Sequence, residues 1–516
     1  MATSATSSPS PANPDAGNVV SMGAGLGLLL VTLATGGIQT MDERAELLAK
    51  AEKAVQAALP AAEKDPNRPQ IHFRAPAQWM NDPNGTIFHD GWFHVFYQFN
   101  PYGDGWGNMH WGHARSRDML DWEMLPIALW PSKSQGEDHV FSGSTFIDGE
   151  GKPTIFYTSI GDKRPPEQWM ARPTDKDWIA WQKPTANPIL TVKAHEPQGI
   201  DEWRDPFLVR KEGVTFMLVG GRVEGKGVVA LYRAKDKALA DWQYVGILFR
   251  HPEEDLIECP NLAQVNGKWL LLVSVAGRVE SFVGTFEPKP EGFGPEHRAT
   301  LHPGSYASQL LTDGEGRTIH LAWVRTDGTQ GWNGCLTLPT LLSVDKGGTV
   351  RSQPIPALQK LREGEFHLAN ADLRDEIEVP SERSTINDPR STAPARLEIE
   401  TEIDPGTAKT IRLRLCTHGD AKDAYDIAYD PNSKLLTIPK APPITLSGET
   451  LKLHIFLDGG MMSVYADEGA IATSEWLPNA QEHGVRLIAE EGRAKILSFK
   501  AYTLRPAKFA PQTPPH

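Results

Sequence analysis

Hydrophobic residues along this chain follow two different periods. A helical period is clear only around residues 42–62. Beyond it come short apolar runs separated by Gly, Pro, Asn and Asp, a pattern typical of β-strands joined by turns. Five of these runs predict buried strands: FHVFYQF (93–99), TIFYTSI (154–160), TFMLVGG (215–221), WLLLVSV (269–275) and IHLAWVR (319–325).

A weak internal repeat runs through the first three of these strands. Each unit has an apolar strand, a second strand that ends in a polar turn containing Asp, a Trp and a further strand. The landmark residues are Trp122, Trp181 and Trp242, so the unit recurs about every 60 residues, as in the blades of a β-propeller. We therefore predict a five-bladed propeller over residues 70–365.

The remainder of the chain predicts a second all-β domain. Residues 366–384 are charged and lead into it, which favours a linker. Alternating strands at sandwich-like spacing follow, so residues 385–507 predict an antiparallel β-sandwich. The Pro-rich tail, residues 508–516, is expected to be loose, and residues 41–69 form the predicted N-terminal helical segment.

The first 40 residues form a leader with three interpretations. Residues 1–17 are rich in Ser, Ala and Pro, and residues 19–38 are an uncharged stretch of about membrane-spanning length. They are a signal peptide, a membrane anchor, or sequence upstream of a true start at Met41. The last interpretation is favoured and predicts a cytoplasmic protein, whereas the other two predict a secreted or membrane-anchored one.

Composition narrows the classes of partner. The formal net charge is −13, which disfavours nucleic acid and anionic membrane surfaces because both attract basic proteins. A neutral small molecule is compatible with this charge, and the 15 Trp residues include candidate platforms for sugar rings. The cysteines, Cys259, Cys335 and Cys416, are widely spaced and indicate neither a disulfide framework nor a zinc site.

Three acidic residues lie in unusual local settings. Asp82 lies in WMNDPNG (79–85), Asp205 in WRDPF (203–207) and Glu258 in IECPN (257–261). Taken singly, each motif is more typical of a structural turn or a surface pair. However, each acid precedes the apolar strand of its unit, and equivalent places in successive blades converge at one end of a propeller channel. We therefore expect the three carboxyl groups to meet.

Convergent carboxyl groups suit the cleavage of a glycosidic bond. This reaction needs one carboxylic acid to protonate the leaving oxygen and a carboxylate that acts as nucleophile or base. Two close carboxylates resist ionising together, which keeps a proton on the acid. Glu258 is the candidate acid and Asp82 the candidate nucleophile. Asp205 follows Arg204, whose charge is expected to keep it ionised as an acceptor for sugar hydroxyl groups.

These motifs occur in the order seen in glycoside hydrolase family 32, which includes invertases, inulinases and levanases, and the chain resembles that family over roughly residues 70–507. The resemblance implies a five-bladed propeller followed by a β-sandwich. The motifs that carry it are WMNDPNG, FSGS (141–144), WRDP (203–206) and ECP (258–260), with further matches at WGHA (111–114), SYASQ (305–309) and GWNGCLTLP (331–339).

The resemblance also implies roles for individual residues. Asp82 would attack the anomeric carbon of a fructosyl unit, Glu258 would be the acid/base, and Asp205 would stabilise the transition state. The family retains configuration, which places the two catalytic carboxyl groups roughly 5–5.5 Å apart. No metal or organic cofactor is implied, and a homo-oligomer is possible. The residues implied to shape the fructose subsite are Asn81, Gln98, Trp106, Phe141, Ser142 and Arg204.

Three positions depart from the family pattern. Asn261 follows ECP where Asp is frequent, and Thr340 follows GWNGCLTLP where Arg is common. Ser463 lies in HIFLDGGMMSVYAD (454–467), where a Glu is usual. None of these changes removes a catalytic group.

The favoured function is a retaining β-fructofuranosidase acting on sucrose or short fructans, and three alternatives stay open. A fructosyltransferase would use the same residues with a sugar in place of water as the acceptor. A non-catalytic carbohydrate-binding propeller would not need to keep a nucleophile and an acid. A five-bladed arabinosidase-type enzyme is disfavoured by WMNDPNG followed by FSGS.

Overall fold

A computed structural model describes residues 41–379, 396–417, 425–478 and 484–511. The predictions for the leader, residues 1–40, lie outside this range, as does the side chain of Cys416. Within it, no helix has the length and apolar character needed to cross a membrane. Cys259 and Cys335 are free and buried.

Residues 78–354, which the structure describes without a gap, form five β-sheets that we call blades 1 to 5. Each inner strand contacts the inner strand of the next blade, and that of blade 5 contacts that of blade 1. The blades therefore close into the predicted five-bladed propeller. The inner strands of blades 1 to 5 are Gln78–His89, His139–Ile147, Asp201–Lys211, Glu258–Val265 and Tyr306–Thr312.

The other strands of each blade continue outward in antiparallel order. All five apolar runs lie on the second strands, and the landmark Trp residues lie on the outer strands of blades 1 to 3, as the repeat predicts. In order, these strands are Trp92–Asn100, His110–Ser116 and Trp122–Leu129 in blade 1; Pro153–Gly161, Arg164–Pro173 and Trp181–Gln182 in blade 2; Val214–Val223, Lys226–Ala234 and Trp242–Arg250 in blade 3; Lys268–Val275, Arg278–Phe286 and Phe293–Leu301 in blade 4; and Thr318–Val324, Thr340–Val344 and Val350–Pro354 in blade 5.

Two short strands complete the propeller. Trp332–Asn333 pairs in parallel with the inner strand of blade 1, and Cys335–Leu336 pairs with Thr318–Val324 in blade 5. Because both come from one segment, that segment joins the last blade to the first.

Each of the five inner strands shifts its hydrogen-bond register close to its first residues. Such a bulge leaves a residue out of the ladder and redirects its side chain. Pro83, Pro206 and Pro260 lie at or inside three of these shifts, where the missing N–H of proline leaves no ladder donor unpaired. The shifts fall between Met80 and Pro83, Val140 and Gly143, Arg204 and Phe207, Glu258 and Asn261, and Tyr306 and Gln309.

The described part of the C-terminal region forms two six-stranded sheets that pack as a sandwich. Their facing sides bury a core that includes Ile399, Leu413 and Phe499. One sheet consists of Arg362–Leu373, Ala494–Leu504, Arg396–Asp404, Leu451–Asp458, Met461–Ala466 and Ile471–Trp476; the other of Glu376–Val379, Gly484–Glu490, Thr410–Thr417, Tyr425–Asp430, Leu435–Thr437 and Ile444–Thr445.

The structure differs from the predicted boundaries in two places. Arg362–Leu373 is an edge strand of the sandwich that alternates between more and less exposed residues, so its charges belong to a solvated face and not to a linker. In the tail, Phe509–Pro511 pairs in parallel with the outer strand of blade 1, and the guanidinium of Arg74 lies 4.4 Å from the Phe509 ring centroid. The first part of the tail is therefore anchored to the propeller.

The N-terminal helix, Met41–Lys64, packs on the propeller through Val55 and Ala62. Just after it, the Asp65 carboxylate accepts a hydrogen bond of 2.9 Å from Trp332 Nε1. Short 3-10 helices occur at Lys133–Gln135, Val192–His195, Pro356–Leu361 and Asp467–Gly469.

The sandwich and the propeller share one apolar cluster. Met80 from blade 1 and Phe456 and Trp476 from the sandwich all belong to it. The indole of Trp476 also donates a hydrogen bond of 2.9 Å to the Asp327 carbonyl of the propeller.

The Asp458 carboxylate connects the two domains at the edge of this cluster. It accepts backbone hydrogen bonds from Gln70, Ile71 and His72 at 2.7, 2.8 and 2.9 Å, and its Oδ2 lies 2.8 Å from His72 Nδ1. Both side chains of the Asp458–His72 pair are fully buried. Burial opposes ionisation, but the hydrogen bonds from His72 and the backbone lower the pKa of Asp458 overall.

We expect Asp458→Asn to lower the free energy of unfolding by about 3 kcal/mol, because the amide cannot accept all of these donors and leaves them buried. Since the pKa of Asp458 is lower in the folded state, its stabilisation is present above about pH 4 and is lost as the pH falls through its folded value. Chemical denaturation between pH 3 and 7 measures both effects. Exposed Asp404→Asn is the matched control, and equal stability of the two variants would contradict the assignment.

Candidate active site

The three predicted carboxyl groups meet at the bulged ends of the inner strands of blades 1, 3 and 4. The thiol of Cys259, next to Glu258, joins the other two: its Sγ lies 3.7 Å from Asp82 Oδ2 and 3.6 Å from Asp205 Oδ2. The Cys259 backbone N–H also donates to Asp205 Oδ2 at 2.9 Å. Residues 177 positions apart in the chain thus share one small site.

Asn81 and Ser142 also donate hydrogen bonds to Asp82. Asn81 Nδ2 donates to Oδ1 at 2.9 Å, and Ser142 Oγ of blade 2 donates to Oδ2 at 2.5 Å. The indole of Trp79 orients Asn81 through a 2.7 Å hydrogen bond. Burial raises the pKa of Asp82; the hydrogen bonds from Ser142 and Asn81 oppose this rise, and the charge of Glu258 adds to it.

Gly143, directly after Ser142, is required by close packing. A Cβ atom at this position would overlap the backbone of Phe156 and Tyr157 on the neighbouring strand. The glycine therefore allows the inner strand of blade 2 to lie close enough to its neighbour while presenting Ser142 to Asp82.

Asp205 is buried and has a left-handed backbone conformation, with φ of 66°. Its N–H donates to Thr158 Oγ1 at 3.0 Å, and Thr158 donates in turn to Gln168 at 2.8 Å. Burial raises the pKa of Asp205 to about 7, although Arg204 acts to lower it. Arg204 therefore favours the ionised form as expected, but desolvation outweighs its charge, so this carboxyl group is only partly ionised near neutral pH.

Each carboxylate oxygen of Glu258 accepts a hydrogen bond. Arg204 Nη2 donates to Oε1 at 2.9 Å, and the Tyr306 hydroxyl of blade 5 donates to Oε2. Arg204 also donates through Nη1 to the Glu202 carboxylate at 2.5 Å. The guanidinium therefore lies between a carboxyl group in the site and one at its rim.

Trp106 and its aromatic neighbours form the rim of the site. Among the described residues, Trp106 is the exposed large hydrophobic side chain, with 57% of its surface accessible. Its ring centroid lies 5.4 Å from that of His139 and 6.1 Å from that of Phe141. Gln98 lies behind this group and donates to the Val140 carbonyl at 3.0 Å.

Comparison with known proteins assigns the chain to a family. The description "Glycosyl hydrolases family 32 N-terminal domain" matches residues 72–354, and "Glycosyl hydrolases family 32 C terminal" matches residues 358–503. The chain belongs to glycoside hydrolase family 32. It is thus a glycoside hydrolase. This assignment disfavours the alternative of a non-catalytic carbohydrate-binding propeller.

Individual proteins are similar to most of this chain. Sucrose-6-phosphate hydrolase from Zymomonas mobilis is 30% identical over 496 residues, covering 86% of this chain and 93% of the relative. Levanase from Bacillus subtilis is 26% identical over 505 residues, covering 86% and 70%. A variant of fructan 1-exohydrolase IIa from Cichorium intybus, solved in complex with 1-kestose, has a TM-score of 0.76 at 20% identity and covers 87% of this chain and 99% of its own.

Two of the departures from the family 32 pattern lie in networks away from the carboxyl groups. Thr340 is buried in blade 5, where its hydroxyl accepts a hydrogen bond of 2.8 Å from Ser352. Ser463 lies in the sandwich, where its hydroxyl is 3.3 Å from His72 Nε2 and 2.8 Å from Ser474 Oγ. The hydroxyl groups of both residues therefore have hydrogen-bond partners within the protein.

Asn261, the third departure, supports the bulge that follows Glu258. Its Nδ2 donates to the carbonyls of Cys259 and Ser308 at 3.0 and 2.9 Å, and its Oδ1 accepts from Leu310 N–H at 2.9 Å. The side chain is fully buried. An amide satisfies all three partners, whereas a carboxylate would face two carbonyl oxygens.

Two residues of the site were not singled out by sequence reasoning. Tyr306 lies in SYASQ, a match to family 32 that by itself indicates no role for the hydroxyl group. Glu202 lies directly before WRDP and carries no motif signal. Tyr306 is revealed by its hydrogen bond to Glu258, which lies in another blade. Glu202 is revealed by its hydrogen bond to Arg204, two residues further along the same strand.

A group of possible metal ligands lies outside this site, on the sandwich. Glu398, Glu400 and His454 bring ligand atoms within 4.8 Å of one another. Arg362 already donates to both carboxylates at 2.5 to 2.6 Å, and His454 Nε2 lies 2.7 Å from Glu398 Oε1. These residues therefore satisfy one another without a cation.

We expect Asn261→Asp to lower the free energy of unfolding by roughly 2–4 kcal/mol at pH 7, because it buries a carboxylate against two carbonyl oxygens. Catalytic activity should fall as well, since the bulge that presents Glu258 depends on these hydrogen bonds. Thermal denaturation and initial rates measure the two effects. The control is Asn266→Asp, at an exposed position in the turn of the same hairpin. Equal stability and activity of the two variants would refute the role of Asn261 in supporting the bulge.

Proposed function

We propose that the protein is a retaining β-fructofuranosidase, which hydrolyses the terminal fructosyl bond of sucrose or a related β-fructoside by double displacement. The family supports glycoside hydrolysis, and the relatives' names point to fructosyl substrates. The observation that carries the proposal is the convergence of Asp82, Asp205 and Glu258 around Cys259.

In the first step, Glu258 donates a proton to the glycosidic oxygen while Asp82 attacks the anomeric carbon of the fructosyl unit. The bond from that carbon to the glycosidic oxygen breaks, and the leaving sugar departs as an alcohol. Asn81 and Ser142 fix the two Asp82 oxygens, so the nucleophile keeps one orientation during attack.

In the second step, water replaces the leaving sugar. Glu258, now a carboxylate, takes a proton from the water, whose oxygen attacks the same carbon and releases Asp82. Arg204 and Tyr306 both donate to Glu258, an arrangement that suits its carboxylate form. The acid/base is therefore held in place by donors from blades 3 and 5.

The close carboxyl groups of the site affect one another's ionisation. Close carboxyl groups resist ionising together, because each negative charge disfavours the next. Burial raises the pKa of Asp82 and Asp205, and the charges of neighbouring carboxylates add to the rise. Asp205 then contributes hydrogen bonds to fructosyl hydroxyl groups, which strengthen in the transition state.

The aromatic rim supplies a surface for the sugar. Trp106 presents an exposed indole face beside Phe141, and planar aromatic faces pack well against the apolar faces of sugar rings. Chain-length preference then depends on the loops around this rim.

We expect Asp82→Asn to reduce kcat for sucrose at least roughly 1,000-fold with little change in stability, since it removes the nucleophile and preserves its shape. Initial rates of fructose release and thermal denaturation measure the two quantities. Asp90→Asn, in the exposed turn at the far end of the same strand, is the control. Wild-type turnover in Asp82→Asn would remove this residue from the mechanism.

We expect the first product formed from sucrose to be the β-anomer of fructofuranose, because double displacement retains configuration. Proton NMR in the first minutes of reaction, before mutarotation, distinguishes the anomers. Release of the α-anomer would indicate single displacement and contradict the proposed mechanism. Sugars longer than sucrose, formed at high sucrose concentration, would indicate fructosyl transfer in place of hydrolysis.

A further inference from the structure

Glu202 lies at the entrance of the site, two residues before Arg204. It has a left-handed backbone conformation with φ of 53°, and about half of its side chain is exposed, at 49%. Arg204 Nη1 donates both to the Glu202 carbonyl at 3.0 Å and to its carboxylate at 2.5 Å. The strained backbone and these two hydrogen bonds hold the carboxylate at the rim.

The same guanidinium reaches the acid/base. Arg204 Nη2 donates to Glu258 Oε1 at 2.9 Å, so one planar group separates the two carboxylates. An acid that protonates the glycosidic oxygen must lie beside the leaving group. The leaving sugar therefore passes close to Glu202, on the more exposed side of Arg204.

The positive charge of Arg204 is already balanced by carboxyl groups around it. Glu202 and Glu258 bind it directly, and Asp205 interacts with it electrostatically. With Asp82 nearby, the carboxyl groups outnumber this cation. A phosphate group carries a charge of about −1.5 to −2 at pH 7 and needs Arg or Lys donors that are free to bind it.

Two other basic side chains at this end of the propeller are also paired. Lys133, in the segment that leads into the inner strand of blade 2, lies 2.8 Å from Asp138. Arg222 lies opposite Asp201 at the start of the inner strand of blade 3, and its Nη1 is 3.6 Å from Asp255. These pairs reduce the positive charge that a phosphorylated sugar would meet at the entrance.

We infer that this site selects β-fructosides whose leaving group is uncharged, and that Glu202 is a specificity-determining residue that disfavours a phosphorylated leaving group. This inference rests on the proposed fructosidase function. It separates this chain from relatives named sucrose-6-phosphate hydrolase, whose 30% identity leaves the rim residues free to differ. A carboxylate repels an approaching anion, and this repulsion weakens as salt screens it.

The test compares kcat/KM for sucrose and for sucrose 6-phosphate, which carries its phosphate on the leaving glucosyl unit. We expect the wild-type enzyme to favour sucrose by roughly tenfold or more at low ionic strength. Raising the salt from about 20 to 300 mM should increase kcat/KM for the phosphate ester several-fold and leave the value for sucrose nearly constant.

Glu202→Gln removes the charge but keeps an acceptor for Arg204. We expect it to lower the preference for sucrose at least roughly threefold. The ratio of the two substrates is the readout, because both share the fructosyl unit and any displacement of Arg204 affects both. Glu212→Gln is the matched control: Glu212 follows the other end of the same strand, is exposed and also has a positive φ, of 51°.

The outcomes separate this inference from the proposed function. No fructose release from either substrate would overturn the proposed function. Release from both, with sucrose 6-phosphate preferred by the wild-type enzyme, would overturn the inference and leave the function intact. An unchanged ratio in Glu202→Gln, or a change of equal size in Glu212→Gln, would overturn the role of Glu202.

Discussion

In every blade of the propeller, the inner strand leaves its regular hydrogen-bond ladder close to its first residues, and the candidate site is built from these irregularities. A regular strand would direct alternate side chains up and down its sheet, away from the axis. The bulges redirect Asp82, Ser142 and Asp205 towards one point. The left-handed conformation at Asp205 costs of order 1–3 kcal/mol and persists because surrounding contacts, including the Thr158 hydroxyl, hold it.

Bringing carboxyl groups together has an electrostatic consequence that the same contacts control. Burial penalises the charged form of Asp205 more than Arg204 favours it, because the Arg204 guanidinium is hydrogen-bonded to Glu202 and Glu258 instead. Coupled carboxyl groups retain a proton at pH values where isolated ones would have lost it. The carboxylate of Glu202 adds its negative charge at the entrance of the site.

The sandwich supports the position of the site indirectly, through its contacts with the propeller. Its junction with the propeller combines a shared apolar cluster with a buried pair, Asp458 and His72, that holds the segment leading into blade 1. Ser463, which departs from the family pattern, continues this network through His72 and Ser474. Because the strand bearing Asp82 starts a few residues after this segment, stability at the junction contributes to the position of Asp82.

The sequence by itself determined the all-β architecture, the five apolar second strands, the period of the blades and the identity of the three acidic residues. Local periodicity and turn composition carry this information, because each depends on neighbours in the chain. The motifs also located Asn81, Ser142 and Arg204, which the structure places in contact with Asp82 or Glu258.

Only the tertiary structure decided what joins distant segments. The strand Arg362–Leu373 has the composition of a linker because one of its faces is solvated, and its pairing with Ala494–Leu504 makes it part of the sandwich. Tyr306 acquires its role through a hydrogen bond to Glu258 that forms only when the blades close into a ring. Glu202 acquires its role because Arg204, two residues along the same strand, also reaches Glu258 in the next blade. The protonation of Asp205 likewise depends on burial, a property of the assembled site that the neighbouring Arg204 in the sequence does not reveal.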